Sequence, residues 1–439
     1  MLTLFGPGKK RCDAVARRNF LRAGALAFGG TLTLPQLLCL RAAKLQAAGA
    51  DPVLPRGLSK SVIMIYLDGG PPHLDMYDMK PEAPSEIRGE FRPIKTTIPG
   101  IDICELMPRQ ARIMDRLTIV RGVTGFVDQH SADIVMSGFP KSARRPAFGS
   151  IVSYLRGNTN GLPPYVSMTN RIQDEQPHYT GVASSPFVPW GQGLADLSVP
   201  PQITVDRFLD RQNLLGQLDT FRRDLDHGGA LEGADSFTQL ALDIVTSTRA
   251  HEAFDVDKEP TVIRDRYGTD NESLNFLRAR RLVEAGVPVV TLSIGGWDAH
   301  GIGQGGAIFP MLRNFLPRTD QAISALVTDI YERGLDEDVA VVMWGEFGRS
   351  PRVNSRAGRD HWPAAGAALI AGGGFRTGQV IGATDHHASQ PEGGPRVTPS
   401  NILSTLYGHL GIDPETTIED RQGRPMYLLE DREPVRELL

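Results

Sequence analysis

The sequence predicts an α/β fold: a doubly wound, mostly parallel central sheet with helices on both faces and long loops. Three observations carry the prediction. Short, nearly continuous apolar runs recur along the chain, segments of helical spacing lie between them, and three of the four runs meet an acidic residue at once or within a few positions. Unbroken apolar runs mark strands buried on both faces. Their alternation with helices builds a sheet covered on both sides. In that class ligands bind in the crevice beyond the carboxyl ends of the strands.

The first run, 61–67, ends at Asp68-Gly69-Gly70-Pro71-Pro72. The second, 288–294, begins with Pro288, which a strand tolerates only as its first residue, and ends at Gly295-Gly296-Trp297-Asp298-Ala299-His300. The third, 339–344, ends at Gly345-Glu346-Phe347-Gly348-Arg349, and the fourth, 365–371, in three glycines. Between them, 309–331 places Leu312, Phe315, Leu316, Ile323, Leu326, Val327 and Ile330 at helical spacing, with Pro317 expected to kink or break it into two helices. Segment 271–285 reads as a helix on composition more than pattern, because Arg278 and Arg281 interrupt its apolar stripe. Segments 208–223 and 237–248 also read as helices, and Pro399-Ser400-Asn401 opens a short one through His409. The stretch 160–200, rich in Gly, Pro and Ser, is expected to be a loop insertion with little regular structure.

A leader is expected at 1–50, followed by a single domain over 51–439. Arg17-Arg18-Asn19-Phe20-Leu21-Arg22 precedes a weakly apolar stretch broken by Gly29-Gly30, Thr31 and Pro35. A paired-arginine head before a short apolar segment has the form of a twin-arginine export signal. The expected location is therefore periplasmic or otherwise exported, with the twin-arginine translocase as a partner. No later segment is long and apolar enough for a stable membrane span. A formal charge of -4 gives no footing for nucleic acid. Two of the three cysteines, Cys12 and Cys39, fall in the leader, so a processed chain would keep only Cys104. That excludes an internal disulfide and a multi-thiolate cluster. A bound metal would be held by carboxylates and imidazoles.

Four clusters could carry chemistry. Asp68 is a strand-end acid before two glycines that permit close approach to an ion; its alternative role is to cap the loop. Asp298 and His300 are two apart, so in extended backbone they face the same way and could share a metal. Glu346 is the third strand-end acid. Arg349 and Arg359 offer fork-shaped donors for phosphate or sulfate oxygens, or could tie two loops together, and Asp360-His361 adds two potential ligands. In Asp128-Gln129-His130-Ser131, Ser131 is either a metal-activated nucleophile or a helix N-cap, and His130 a ligand or proton donor. Asp385-His386-His387 reads as a ligand pair or a surface turn. One oxyanion pocket with one or two divalent ions would account for acids and histidines after several strands. Zinc or calcium is expected first, magnesium or manganese next.

Taken in order, these motifs resemble the exported DUF1501 family, which is related to the alkaline phosphatase and sulfatase superfamily. The resemblance rests on the paired-arginine leader, Asp68-Gly69-Gly70-Pro71-Pro72-His73-Leu74-Asp75, Gly296-Trp297-Asp298-Ala299-His300, Glu346-Phe347-Gly348-Arg349-Ser350-Pro351, Gly358-Arg359-Asp360-His361-Trp362-Pro363, the strand-like 380–385 and Gly411-Ile412-Asp413-Pro414. It implies a metal-supported hydrolase of phosphate or sulfate esters. In it Asp68 looks like the first strand-end ligand, Asp298 and His300 like a later ligand pair, and His361 like the final histidine. Glu346 stands where the superfamily has an Asp-His or Asp-Asn pair, and Phe347 cannot bind a metal. Counting back ten residues from Gly138 lands on Asp128 rather than on Ser, Thr or Cys. The formylglycine motif of sulfatases is absent as well. The implied substrate is a small ester or a sulfated or phosphorylated glycan. The competing expectations are a metal- or glycan-binding envelope protein that has lost turnover, and a structural protein of the envelope.

Overall fold

Residues 60–157, 162–189 and 248–439 are described by the computed structural model of the chain. The leader, the helix expected at 208–223, all but the last residue of the one expected at 237–248, and parts of the 160–200 stretch lie outside them. Seven strands form one sheet: β1 (Ser61–Asp68), β2 (Leu117–Val123), β3 (Tyr165–Met168), β4 (Val289–Gly295), β5 (Val339–Trp344), β6 (Gly366–Gly372) and β7 (Gln379–Ile381), in the order β7-β2-β6-β5-β1-β4-β3. β1 lies parallel to β4 and β5, β3 to β4, and β7 to β2. Only β6 is antiparallel to both of its neighbours, β5 and β2. Six strands therefore end at one edge of the sheet, and β6 begins there.

β1 shows why the run at 61–67 is unbroken. Successive side chains of a strand point to opposite faces. Ile63, Ile65 and Leu67 enter one core, Val62, Met64 and Tyr66 the other. The first core is completed by α2 (Asn271–Glu284) and α3 (Ile308–Glu332), the second by α1 (Phe148–Arg156) and α4 (Pro399–His409). With both faces covered, no polar alternation is possible. α4 opens as expected: Pro399 takes the first turn, and Thr398 and Asn401 form a reciprocal capping box. In α2, the two arginines that interrupt the apolar stripe have partners: Arg281 pairs with Glu259 and Arg278 donates to Asn271 and Asn275, while fully buried Arg280 meets Glu259, Glu284 and Asp329.

Three expectations change. Pro317 does not split its helix: α3 runs unbroken through it. Pro317 is exposed, so the Arg313 carbonyl that loses its donor lies where water can reach. The helix still carries a cost, and Pro317→Ala is expected to raise stability by roughly 1–3 kcal/mol in urea unfolding. The expected loop at 160–200 contains an edge strand, β3, whose Tyr165, Val166 and Met168 are buried. β2, between β6 and β7, has no counterpart among the four expected runs; Arg121 and Gly122 interrupt it in sequence.

Among the described residues no helix is long and apolar enough to cross a membrane. Cys104 is a free, buried thiol pushed up to about 12 by burial, which suits packing rather than reactivity.

Candidate metal centre

The carboxyl edge of the sheet delivers every residue of the centre. β4 ends into Asp298 and His300, β1 into Asp68 and Gly69, β5 into Glu346, and β2 into the segment that carries Asp128 and His130. β6 starts at this edge, so its contribution, His361, comes before the strand rather than after it. His361 is held in a short antiparallel ribbon against Gly348 and Arg349. Two glycines allow the loops to close. At Gly69, φ is +111° and a Cβ would lie 2.7 Å from the Asp298 nitrogen. At Gly358 a Cβ would lie 2.1 Å from the His300 carbonyl carbon.

His130, Asp298, His300 and His361 each aim one ligand atom at a common point, all within 4.8 Å of one another. Asp298 Oδ1 lies 2.9 Å from His300 Nε2, 3.4 Å from His361 Nε2 and 3.4 Å from His130 Nε2. His300 Nε2 and His361 Nε2 are 3.0 Å apart. Ligands about 2.0–2.1 Å from a tetrahedral zinc ion are separated by roughly 3.3 Å. The spacings of Asp298 to the three imidazoles and of His300 to His361, from 2.9 to 3.4 Å, lie around that value.

Behind each imidazole stands a carboxylate. Glu346 Oε1 is 3.0 Å from His130 Nδ1, Asp360 Oδ1 is 3.0 Å from His300 Nδ1, and Asp128 Oδ1 is 2.7 Å from His361 Nδ1. An ionised carboxylate only accepts, so each Nδ1 carries the proton and donates it. In the neutral rings Nε2 is then a lone pair. His300 and His361 thus present lone pairs to each other and to the Asp298 carboxylate. The Arg349 guanidinium, 2.6 Å from Asp298 Oδ1 and 3.5 Å from His300 Nε2, relieves part of that repulsion from one side, and a cation or an added proton at the point of convergence would relieve the rest. Carboxylate–histidine pairs of this kind orient metal ligands. The donor set therefore fits a divalent ion.

The local electrostatics divide the four. Burial raises the Asp298 carboxyl, but the hydrogen bond and charge of Arg349, with His130 and His300 nearby, hold it below its ordinary value. Burial, reinforced by Arg349, His130 and His300, outweighs Asp128 and pushes His361 below the usual imidazole value. His130 moves the other way, raised mainly by its hydrogen bond to Glu346. The Asp298 side chain is 43% exposed and that of His130 31%, against 12% for His300 and 17% for His361. The cluster thus opens to solvent on the side of Asp298 and His130.

Several expected site residues serve other ends. Glu346 is fully buried and accepts from Gly69 N at 3.1 Å as well as facing His130, so it stands behind the ligands. Asp68 is engaged by Arg171, whose Nε and Nη2 lie 2.8 and 2.7 Å from its Oδ1. Arg349 is buried and clamps Asp298 at 2.6 Å; it also donates to the carbonyls of Gly69, Gly70 and Arg359. All five donors of Arg359 are engaged, by the Asp75 carboxylate at 2.8 and 2.9 Å and by the carbonyls of Ser350, Pro351 and Ile87. None is left for a ligand oxyanion, so of the two roles expected for Arg359 the structure shows the one that ties loops together. Ser131, expected as a nucleophile or a helix cap, is buried and gives its hydroxyl to Asp133 Oδ2 at 2.5 Å. His386 and His387 stack on each other, apart from the centre's ligand set.

Two residues were missed. Asp128 is the partner of His361; Asp128-Gln129-His130 repeats the Asp-x-His spacing of Asp298-Ala299-His300, and that repeat was the available signal. Arg171, just beyond β3, was hidden in the stretch expected to be irregular.

A family model described as a protein of unknown function, DUF1501, matches residues 59–439. No curated protein matches the chain. Among solved structures, the lipoteichoic acid synthase LtaP from Listeria monocytogenes is similar at 10% identity and a TM-score of 0.34, over 86% of this chain and 76% of that one. The PsFucS1 sulfatase from Pseudoalteromonas sp. is similar at 12% identity and a TM-score of 0.35, over 87% and 72%.

Proposed function

From the premise that the chain belongs to the DUF1501 family, matched over residues 59–439, we propose that it is an exported, metal-dependent hydrolase of phosphate or sulfate esters. The observation that carries this reading is the convergence of Asp298, His300 and His361 on one point, with His130 beside them and a carboxylate behind each imidazole. Three imidazoles favour zinc over calcium or magnesium, which prefer all-oxygen surroundings. A divalent ion bound there would supply Lewis acidity, polarising an ester oxygen and acidifying water.

The residues of the chain supply the rest. Arg349 keeps Asp298 ionised and fixed. Asp128 and Asp360 set the tautomers of His361 and His300, and Glu346 that of His130. Arg171, partly exposed next to Asp68, offers a guanidinium to an anionic oxygen of the ester. His130, on the open side, is placed to give a proton to the leaving oxygen. With the Ser131 hydroxyl committed to Asp133, water is the attacking group in this reading. The ester class itself rests on the motif-by-motif resemblance to the alkaline phosphatase and sulfatase superfamily.

A second reading is favoured by the same four atoms. If His130 is a fourth ligand, a tetrahedral ion has no open position, which is the habit of structural rather than catalytic sites. The protein would then bind metal without turnover. His130→Ala separates the two. The hydrolase reading expects one equivalent of metal to be retained and hydrolysis of a phosphate and sulfate monoester panel to fall about 100-fold or more. Loss of the metal, together with no turnover by the wild-type chain, would establish the binding reading instead.

Export belongs to the proposal too, supported by the paired arginines before a weakly apolar stretch. Replacing Arg17 and Arg18 by lysine is expected to hold the chain in the cytoplasm on cell fractionation; unchanged export would remove the twin-arginine translocase as partner.

A further inference from the structure

A cavity of about 410 Å³ shares no residue with the metal centre and is lined by Arg144, Arg145, His178, Tyr179, Arg421 and Arg424, together with Asp420. Its charges do not cancel. Arg424 pairs with Asp420, at 2.7 Å. Among the described residues no carboxylate pairs with the other three arginines. Arg145 donates only to neutral oxygens, the Tyr179 hydroxyl at 3.2 Å and the Tyr427 carbonyl at 2.8 Å, and lies 4.3 Å over the Phe139 ring. Arg421 reaches the His178 carbonyl at 3.4 Å. Arg144 and Arg421 both face His178, which burial and then these two cations push below its ordinary value.

Three unpaired guanidinium groups round one hollow repel one another, and the chain as a whole is acidic at -4, so a generally basic surface does not account for them. The backbone is also held at a cost here. Arg144 at φ 48° and His178 at φ 44° are two of only four non-glycine residues with positive φ among those described. Strain of this kind persists where surrounding contacts impose it, often at ligand sites. The volume lies within the range of small-molecule sites.

We propose that this cavity binds a tetrahedral oxyanion, a phosphate or sulfate group, carried on a small organic molecule such as a sugar. Arg144 and Arg421 hold its oxygens, Arg145 is braced by Phe139 and Tyr179, and the Tyr179 ring offers a face to the carrier. The site is independent of the metal reading.

Calorimetric titration of the full chain tests it, with inorganic phosphate, inorganic sulfate, glucose 6-phosphate and glucose 6-sulfate as probes. Saturable binding that weakens with added salt is expected. The doubly substituted Arg144→Ala, Arg421→Ala chain should lose at least tenfold in affinity with its metal content and melting temperature unchanged, since both side chains are at the surface. His361→Ala, which disables the centre where the proposed hydrolase would also take an ester, should retain saturable anion binding at this cavity. Tighter binding of the sugar esters than of the inorganic ions supports the organic carrier; equal binding supports the oxyanion site alone. No binding by the wild type at millimolar probe, equal binding by the double variant, or loss of binding in His361→Ala would each overturn the proposal.

Discussion

Replacing His361 by alanine is expected to strip the centre of its metal while leaving the fold in place. The ring supplies one of the converging nitrogens, 3.0 Å from His300 Nε2, and its side chain is only partly buried, so little core packing is lost. Elemental analysis of protein purified without chelator should fall from about one equivalent of metal to near none. Asp360→Ala is the internal comparison. It removes a carboxylate behind His300 without removing a ligand, and an outer partner of that kind contributes about 10–100-fold in affinity. Metal titration should therefore rank the wild type above Asp360→Ala, and Asp360→Ala above His361→Ala. Equal metal content in all three would mean that the ion, if bound at all, sits elsewhere.

The second large effect lies in the scaffold. Asp75 and Arg359 are both fully buried and meet through two hydrogen bonds. Removing one member of such a pair leaves an uncompensated buried charge, at a cost of about 3–5 kcal/mol. Arg359→Met should therefore lower the urea midpoint steeply. Asp75→Asn combined with Arg359→Met should recover part of that loss, because no charge is then stranded. Because Arg359 adjoins Asp360 and His361 in the chain, the single variant is also expected to bind metal less tightly. A single variant as stable as the wild type would show that water already reaches the pair.

How much of this was legible in the sequence follows from what is local and what is not. The runs that became β1, β4, β5 and β6 were plain because burial on both faces leaves no polar alternation. β2 was not, since Arg121 and Gly122 break its pattern, and β3 is too short to stand out from the glycines and prolines around it. Asp298, His300 and His361 could be picked out as chemistry-bearing types near strand ends. The pairings could not: Asp128 with His361, Glu346 with His130 and Arg171 with Asp68 join distant parts of the chain that only the sheet order brings together. Arg349 and Arg359 look alike in sequence, each beside a candidate ligand. What separates them is which carbonyls and carboxylates fold round each guanidinium.

The antiparallel course of β6 has a consequence for the order of events during biogenesis. Because that strand begins at the ligand edge, the position of His361 at the centre depends on its strand lying between β5 and β2. His130, the first residue of the cluster in the chain, is synthesised long before. No contiguous stretch of the nascent polypeptide holds enough ligands to trap an ion, so metal cannot template the early steps of folding. An ion bound at this centre would then load late, on an already assembled sheet, and would stabilise it by mass action. A twin-arginine route, which carries folded cargo, would allow that loading to be completed before the protein leaves the cytoplasm.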